Sequence, residues 1–503
     1  MDARARLSRR NLLVGAGATL ALPWVMRGAR AAPSGPIADA AWQKLATQIS
    51  GGVIWPGDPR FVTLSRPENL RYYNPPANPD GPSDPDAPFA VVRPHGAKEV
   101  ADTILWARDA GCRMVPRSGG HSYAGCSTVH GLVVHGGAMR QVKYHLDSKL
   151  LEVGGGVING DIFTALRDTD RAIIHGRCTA VGISAFLMGG GIGMGMREYG
   201  VGCDQVESVE LVLANGKTVR ASASSNPEFF WAVRGGGGGN LGYATRWWLR
   251  TVPADKVVAF NVNWWPKPGN PDVFKRLVRV LEASPAQMGA QMSISAGSPS
   301  NPGAHQISLT GQFRGTLATF QTVLGSALSD ASQKSVLELP HWQAQEFLEI
   351  AAVPNRYQET SLFAAELSDS CIDQSISLLQ GLPSNGARAR LTFFLTGGQI
   401  NKIRPDATAF AHRSSQWLIN FILEWDRADG LDDNLKWQRN LQDTVAGILG
   451  ESSSYQNFAD PGLNNHAQGY WGTNLARLSK IKHAFDPDGV FTPPRHQEIP
   501  QSA

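Results

Sequence analysis

His121 and Cys178 are the residues whose types and surroundings point most directly to chemistry. His121 follows two glycines, and Cys178 comes shortly before a glycine-rich turn at 189–195. An imidazole nitrogen and a thiolate are both nucleophiles that can bond covalently to an electrophilic group. Taken singly, an imidazole beside glycines is usually a solvated loop residue, and an isolated cysteine is usually a buried small hydrophobe. The pair therefore gains meaning only from the segments around it.

Glycine is unusually frequent in those segments. The chain has 54 glycines in 503 residues, which exceeds the usual share of about 7%. They cluster at 119–120, 189–195 and 235–239. Glycine lets the backbone approach a ligand closely and present its N–H groups in concave nests, which suit phosphates. Three such turns predict a phosphate-bearing ligand, although any single cluster is also explained by a tight turn.

Two familiar ligand sites do not fit the pattern. Gly237, Gly239 and Gly242 match the spacing of the dinucleotide fingerprint, but the aromatic and β-branched run at 244–250 predicts a strand where that fingerprint needs a helix. A nicotinamide site is therefore not expected. The chain also lacks a Cys-x-x-Cys pair and closely spaced histidines, so the sequence predicts no metal site.

The elements that position these turns alternate between strands and helices. The sequence predicts a strand at 89–93, a helix at 97–110 that stops at Gly111, and a further strand that begins at 114. Alternating apolar residues around Asn215-Gly216 predict a hairpin over 208–222. After Pro253 the pattern changes to aromatic strands, such as 260–265, and amphipathic helices, such as 273–282. A second domain with an antiparallel sheet is expected there.

Four segments in order resemble the berberine bridge enzyme-like family of FAD-linked oxidases, within the vanillyl-alcohol-oxidase superfamily. They are 117–121, Cys178 with its downstream glycines, 226–237, and 470–474 together with Asp486-Pro487. The resemblance implies an α+β fold, with a two-part PCMH-type FAD-binding domain and a substrate domain built on an antiparallel sheet flanked by helices. The predicted boundaries are an export signal at 1–31, an extended arm at 32–85, the FAD domain at 86–255, the substrate domain at 256–454, and a C-terminal segment at 455–503 that returns to the FAD domain.

The resemblance also implies how FAD is held. His121 would carry a bond to the flavin 8α position and Cys178 a 6-S-cysteinyl bond, giving a bicovalent attachment. The remaining cofactor-binding candidates are loop and turn residues that would surround the flavin and its phosphates: Arg117, Ser118, Gly119, Gly120, Ser122, Val181, Gly182, Ser184, Gly190, Gly191, Gly193, Val206 and Asn474. One departure is Phe186, which stands where many relatives have a histidine near the flavin. A phenyl ring cannot donate a hydrogen bond, so another group must stabilise the reduced flavin.

The substrate side is less defined. By resemblance, Tyr470 is the candidate base, with packing or substrate stacking as the alternative role. Asn420 stands where relatives place an acid or amide, and since an amide is not a base we expect it to orient a substrate hydroxyl. Tyr123 is a further candidate for the substrate pocket, while His412 and Arg413 are expected to be structural.

The first residues read as a twin-arginine export signal. Arg9-Arg10 precede an apolar stretch that ends near Met26, and Ala29-Arg30-Ala31 resembles a cleavage site. This route carries folded proteins, often with a cofactor already inserted, which predicts a periplasmic or secreted location. A general secretory signal and an uncleaved membrane anchor are the alternatives.

The export signal also explains the charge. The chain has a formal net charge of +4, but residues 1–31 hold six arginines and one aspartate, which leaves 41 basic and 42 acidic side chains in the remainder. The basic excess therefore belongs to the signal, and nucleic acid or an anionic membrane is not an expected partner.

If Cys178 bonds to flavin, four cysteines remain whose pairing the sequence leaves open: Cys112, Cys126, Cys203 and Cys371.

These observations together predict an exported FAD-dependent oxidase. It would transfer hydride from an alcohol-type donor, such as a sugar, a phenolic or another secondary metabolite, to FAD and then to oxygen, giving hydrogen peroxide. The alternatives are a dehydrogenase with another electron acceptor, a flavin-carrying binding protein without turnover, and a glycine-rich scaffold without flavin.

Overall fold

The computed structural model describes residues 37–73, 87–265, 271–296, 306–426 and 430–501. The export signal predicted at 1–31 lies outside the described residues, as do 32–36 and 74–85 of the predicted arm. The described helices are α1 Asp39–Gln48, α2 Phe61–Ser65, α3 Ala97–Ala110, α4 Asn159–Leu166, α5 Ile183–Met188, α6 Met196–Tyr199, α7 Pro227–Val233, α8 Pro271–Glu282, α9 Leu317–Leu324, α10 His341–Leu348, α11 Asp369–Gln380, α12 Leu431–Leu449, α13 His466–Trp471 and α14 Leu475–Phe485.

The strands follow the same chain order. They are β1 Val53–Ile54, β2 Ala90–Val92, β3 Met114–Arg117, β4 Leu132–His135, β5 Val142–His145, β6 Leu150–Gly154, β7 Arg171–Ala172, β8 Val206–Val212, β9 Thr218–Ser222, β10 Tyr243–Arg250, β11 Val252–Pro253, β12 Val257–Trp264, β13 Met288–Ala296, β14 Gln306–Phe313, β15 Gln333–Leu339, β16 Arg356–Ala364, β17 Arg388–Leu395 and β18 Trp417–Trp425.

Two sheets form from the described residues between 53 and 250. The first has the order β1-β2-β4-β3, in which β2, β4 and β3 run parallel. The second has the order β5-β6-β10-β8-β9 and is antiparallel throughout. The predicted hairpin joins β8 to β9 through a turn in which Gly216 has a φ of 78°. The predicted strand at 244–250 is β10, which confirms that no helix follows the glycine run.

The described residues from 257 to 425 build a third sheet, the large sheet, with the order β15-β12-β14-β13-β17-β18-β16. Every pairing in it is antiparallel. Helices α8, α11 and α12 contribute apolar side chains to the core that covers one face of this sheet, as Leu277, Ile372 and Val445 illustrate. The mixture of helices and sheets confirms the α+β fold.

The arm at 32–85 is not wholly extended, which corrects the prediction made for it. Residues 39–48 form α1, whose Leu45 is fully buried in a core shared with α3. The indole nitrogen of Trp106 on α3 donates to the carbonyl of Ala41 at 2.7 Å. The prolines on either side suggested an extended chain, but the stretch between Pro36 and Pro56 contains none and can form a helix.

Candidate functional site

A cavity of about 760 Å³ lies between the glycine-containing loops and one face of the large sheet. The loops at 116–123, 176–186 and 238–244 form one wall, and strands β13, β14, β16, β17 and β18 form the opposite wall. A cavity of this size is within the range that holds a cofactor or a drug-sized ligand, about 300–1,000 Å³. The two walls come from different parts of the chain, so the site exists only in the folded molecule.

Side-chain alternation gives the large sheet a polar face toward this cavity. On β17, Leu391 and Phe393 belong to the apolar core, whereas Arg390 and Thr392 line the cavity. The other strands repeat this pattern, because successive side chains in a strand point to opposite faces. The polar side chains of the sheet that line the cavity are Gln291, Ser293, Ser308, Thr310, Tyr357, Glu359, Arg390, Thr392, Asn420 and Glu424.

The loop that carries His121 begins at the end of β3 and is fixed by Arg117. The buried guanidinium of Arg117 donates from Nε and Nη2 to the carbonyl of Ser127, at 2.8 and 2.6 Å, and from Nη1 to the carbonyl of Leu64 at 2.7 Å. His121 lines the cavity, and burial lowers its pKa to about 4. Among the described residues, no protein partner meets its buried Nδ1. A neutral imidazole is the nucleophilic form of this side chain.

The loop that carries Cys178 lies directly against the His121 loop. A Cβ on Gly119 would stand 2.2 Å from the carbonyl oxygen of Ala180 and 2.6 Å from the nitrogen of Gly182. The side-chain amide of Asn159 donates to the carbonyl of Cys178 at 2.9 Å and so fixes its backbone. Burial raises the pKa of the Cys178 thiol. The two nucleophiles are thus held on adjoining segments of one cavity wall.

The structure brings most of the predicted site residues to this cavity. The predicted residues that line it are Arg117, Ser118, Gly119, Gly120, His121, Ser122, Tyr123, Cys178, Val181, Gly182, Ser184, Gly193 and Asn420. Those that do not line it are Gly190, Gly191, Val206, Asn474 and Tyr470. Phe186 lines the cavity as well and is buried.

Four of the predicted cofactor-binding residues lie outside the wall of this cavity. Gly190 has a φ of 115° and packs so closely that a Cβ would stand 2.5 Å from the ring of Phe410, while the N–H of Gly191 donates to the Tyr455 hydroxyl at 2.9 Å. Val206 begins β8 in the core. Asn474 donates from its amide to the carbonyl of Pro405 at 2.8 Å and to those of Thr408 and Ala409. These residues pack and form hydrogen bonds around the site but do not line the cavity.

Tyr470, the predicted base, also lies outside the wall of this cavity. The side chain is fully buried on α13. Its hydroxyl accepts a hydrogen bond from the backbone N–H of Asp460 at 2.9 Å. Burial raises its pKa above the ordinary value, which disfavours the phenolate. The packing role, the alternative for Tyr470, fits this geometry.

Glu359 is a functional candidate that the sequence did not reveal. It lies on β16, is buried in the cavity wall, and accepts a hydrogen bond from the amide of Asn420 at 2.8 Å. Burial raises its pKa to about 8, against a smaller lowering by Asn420 and by the charge of Arg390. The alternation of polar and apolar residues along β16 to β18 is the sequence pattern that could have indicated Glu359. A single glutamate in a strand, however, does not show which face of the sheet it occupies.

The five cysteines all lie among the described residues, and no disulfide joins any two of them. Cys126 lines the cavity, and burial raises its pKa to about 11. Cys112, Cys203 and Cys371 are buried as small apolar side chains.

Two regions of the chain match known protein families. Residues 88–222 match the FAD binding domain, and residues 454–496 match the family described as berberine and berberine-like. The first region contains both His121 and Cys178, and the second contains Tyr470 and the cavity-lining residues from Gln456 to Ala459.

Individual relatives extend the similarity over most of the chain. A carbohydrate oxidase of Microdochium nivale is 28% identical, over 82% of this chain and 88% of the relative. The structure of Physcomitrella patens BBE-like 1 superposes with a TM-score of 0.79 at 25% identity, covering 92% of this chain and 99% of the other. A glucooligosaccharide oxidase of Acremonium strictum, described with a 6-S-cysteinyl, 8α-N1-histidyl FAD, shares the fold with a TM-score of 0.76 at 23% identity, over 89% and 96% of the two chains.

The cavity suits the FAD that this domain binds. Gly238 and Gly239 line it at the end of the five-glycine run, and the φ of 80° at Gly239 is one that glycine adopts readily. The unpartnered Nδ1 of His121 is a polar atom in the wall for which the described protein supplies no partner. By its domains and its relatives, this chain is an FAD-linked oxidoreductase that combines an FAD binding domain with a berberine-like region and is similar to berberine bridge enzyme-like proteins.

Proposed function

We propose that this protein is an exported oxidase that removes hydride from a hydroxyl-bearing carbon of a carbohydrate and passes the electrons to oxygen, giving hydrogen peroxide. The observation that carries the proposal is Glu359, a buried carboxylate that faces the cavity from the polar face of the large sheet. FAD, when bound, supplies the hydride acceptor and the route to oxygen. The protein must supply a base, a binding surface and the attachment of the flavin.

Glu359 is the base in this proposal. Alcohol oxidation by hydride loss also needs removal of the hydroxyl proton, and a carboxylate with a raised pKa is well matched to that task near neutral pH. Asn420 fixes the orientation of the carboxylate through its amide hydrogen bond. Two other carboxylates line the cavity, and both are less deeply buried than Glu359. Glu424 lies 3.6 Å from Arg388, and burial raises the pKa of Glu68 against the charge of Arg66. Glu359 is the one held by an uncharged partner.

The polar face of the sheet supports a substrate with many hydroxyl groups. A second cavity of about 370 Å³ adjoins the first and shares with it the lining residues Ser293, Ser308, Thr310, Arg390, Ile422 and Glu424. It continues the polar face toward β12 with Asn261 and Asn263. Hydroxyl, amide and guanidinium groups in a row match the donors and acceptors of a sugar chain. The similarity to a carbohydrate oxidase agrees with this substrate class.

His121 and Cys178 are proposed to attach the flavin covalently at two points. They are the nucleophiles on the adjoining loops, and the related glucooligosaccharide oxidase is described with a histidyl and cysteinyl FAD. The test is acid precipitation of the purified protein followed by mass analysis of its peptides. Flavin mass on the His121 and Cys178 peptides is the expected result. Free flavin in the supernatant, with both peptides unmodified, would refute covalent attachment.

Anaerobic mixing with substrate tests the reaction itself. We expect xylo- and cello-oligosaccharides to bleach the flavin absorbance near 450 nm, and admission of air to restore it with one hydrogen peroxide per turnover. Restoration only after addition of a quinone would identify a dehydrogenase instead. A flavin that no carbohydrate reduces would favour a flavin-carrying binding protein.

Export by the twin-arginine route completes the proposal. Arg9 and Arg10 are its basis in the sequence, and no helix among the described residues has the length and apolar character to cross a bilayer. The expected result in cell fractionation is flavin-loaded protein outside the cytoplasm. Replacement of both arginines by lysine should leave the folded, flavin-loaded protein in the cytoplasm, whereas unchanged export would point to a different signal.

A further inference from the structure

Three potential metal ligands meet at the C-terminal end of the chain, outside the cavity. His466 begins α13, and His496 and Glu498 lie in residues 490–501 at the end of the described chain, which we call the C-terminal strap. One ligand atom from each of the three side chains lies within 4.8 Å of the others. The Nε2 of His466 is 3.7 Å from Oε1 of Glu498, and the two imidazole centroids are 5.1 Å apart.

We propose that His466, His496 and Glu498 form a binding site for Zn²⁺ that fastens the C-terminal strap to α13. Two imidazoles and one carboxylate are a donor set that zinc accepts with a fourth position left to water, and imidazoles disfavour Mg²⁺ and Ca²⁺. At zinc bond lengths the ligand atoms of a tetrahedral site lie roughly 3.4 Å apart. The exposed His496 side chain can close the remaining distance by a change of rotamer.

The backbone around this cluster gives a second reason for the assignment. Five described non-glycine residues have a positive φ, and three of them hold the cluster: Asn465 at 56°, Arg495 at 63° and His496 at 59°. Such conformations are uncommon for non-glycine residues and persist where the surroundings favour them. They turn His466 and His496 toward each other from segments that are distant in the sequence. Because His466 and His496 are far apart in the sequence, the spacing of histidines along the chain indicated no metal site.

The charge of the cluster is compatible with a metal cation. Glu498 places a carboxylate oxygen 3.7 Å from Nε2 of His466.

The strap connects this site to the flavin side of the molecule. The Cys126 thiol contacts the carbonyl of Pro494 at 3.4 Å, and Arg495 donates from Nη1 to the carbonyl of Gly125 at 2.9 Å. Gln497 lines the cavity. A metal between α13 and the strap would therefore restrain a segment that lines the cavity at Gln497 and contacts the loop after His121.

The test uses untagged, flavin-loaded protein that has been treated with EDTA and dialysed. Titration calorimetry with ZnCl₂ should show one equivalent bound and a higher unfolding temperature, with no effect of MgCl₂. His466→Ala and His496→Ala should each weaken Zn²⁺ binding roughly tenfold or more, and Glu498→Gln should weaken it without disturbing the imidazoles. His483→Ala removes an exposed imidazole on α14 outside the cluster and should bind zinc as the unmodified protein does.

Two outcomes would overturn the proposal. One is unchanged zinc affinity in both cluster histidine variants. The other is X-ray absorption of the zinc-loaded protein showing sulfur ligands, which would assign the metal to a free thiol instead. Neither outcome depends on turnover, so the test stands apart from the proposed oxidase activity.

Discussion

Glu359 is the proposed base, and replacing its carboxylate tests that role most directly. Glu359→Gln keeps the size and the hydrogen bond with Asn420 but cannot take a proton. We expect the rate of flavin reduction to fall roughly 100-fold to 10,000-fold, the usual contribution of a general base, with the flavin still bound. Stopped-flow absorbance under anaerobic conditions measures it. Glu366→Gln, an exposed carboxylate just after β16, is the matched control, and equal rates in the two variants would remove Glu359 from the role.

The environment of Glu359 also sets a pH dependence. Because burial raises its pKa to about 8, the carboxylate is mostly protonated at pH 6 and mostly ionised at pH 9. Only the ionised form accepts a proton, so the rate of flavin reduction should rise with pH, reach half its maximum near pH 8 and level off above about pH 9. The rising limb should be absent from Glu359→Gln. A rate that is flat between pH 6 and 9 in the unmodified protein would contradict the assignment.

Substitution of Tyr470 should have the opposite effect to substitution of Glu359: a loss of stability without a loss of flavin reduction. Its hydroxyl meets the backbone of Asp460 in the core, so Tyr470→Phe should leave flavin reduction unchanged within about twofold. It should lower the free energy of unfolding by about 1 kcal/mol, the net value of a buried hydrogen bond. Urea denaturation followed by tryptophan fluorescence measures the second effect. A large loss of reduction rate with unchanged stability would restore Tyr470 as the base.

At the scale of elements, the junction of the two nucleophile-bearing loops depends on glycine. An alanine at 119 would press its Cβ to 2.2 Å from the Ala180 carbonyl, so the loops must separate, at a cost of about 1–3 kcal/mol for such overpacking. We expect Gly119→Ala to lower the covalently bound flavin, measured as yellow colour retained after acid precipitation.

Gly96→Ala is the control for this substitution. Gly96 has an extended backbone with a φ of −173°, and nothing lies within 4 Å of its added Cβ. Full flavin content in Gly119→Ala would mean that the loops tolerate separation and that their contact is not needed for attachment.

The elements themselves were largely predictable from local patterns. Helix α3 begins and ends where its apolar periodicity and Gly111 place it, and the β8–β9 hairpin follows from Asn215-Gly216. The site was predictable only where short motifs carry it, as around His121 and Cys178. Glu359, Arg390 and Asn420 come from three strands whose pairing is not visible locally. Their meeting is set by the register of the large sheet.

At the scale of the whole molecule, the loops that carry the nucleophiles and the large sheet meet across one cavity, and the sheet continues beyond it. The second cavity adjoins the first along the same polar face. A chain of sugar units can therefore contact both cavities, whereas a single unit fills only the inner one. We expect KM to fall as the substrate lengthens from one unit to three, by roughly tenfold, which corresponds to about 1.4 kcal/mol of added binding.

Ser295 allows the outer cavity to be altered alone, because it lines the second cavity and not the first. Ser295→Trp should fill that space and remove the preference for longer chains, and the rate with a single sugar should be unchanged because the inner wall is intact. Ser295→Ala, which leaves the space open, should keep the preference. Steady-state oxygen consumption with one-, two- and three-unit substrates measures all three proteins. If Ser295→Trp retains the full length preference, then sugar units beyond the first lie along a different surface, and the polar face of the large sheet serves only the inner cavity.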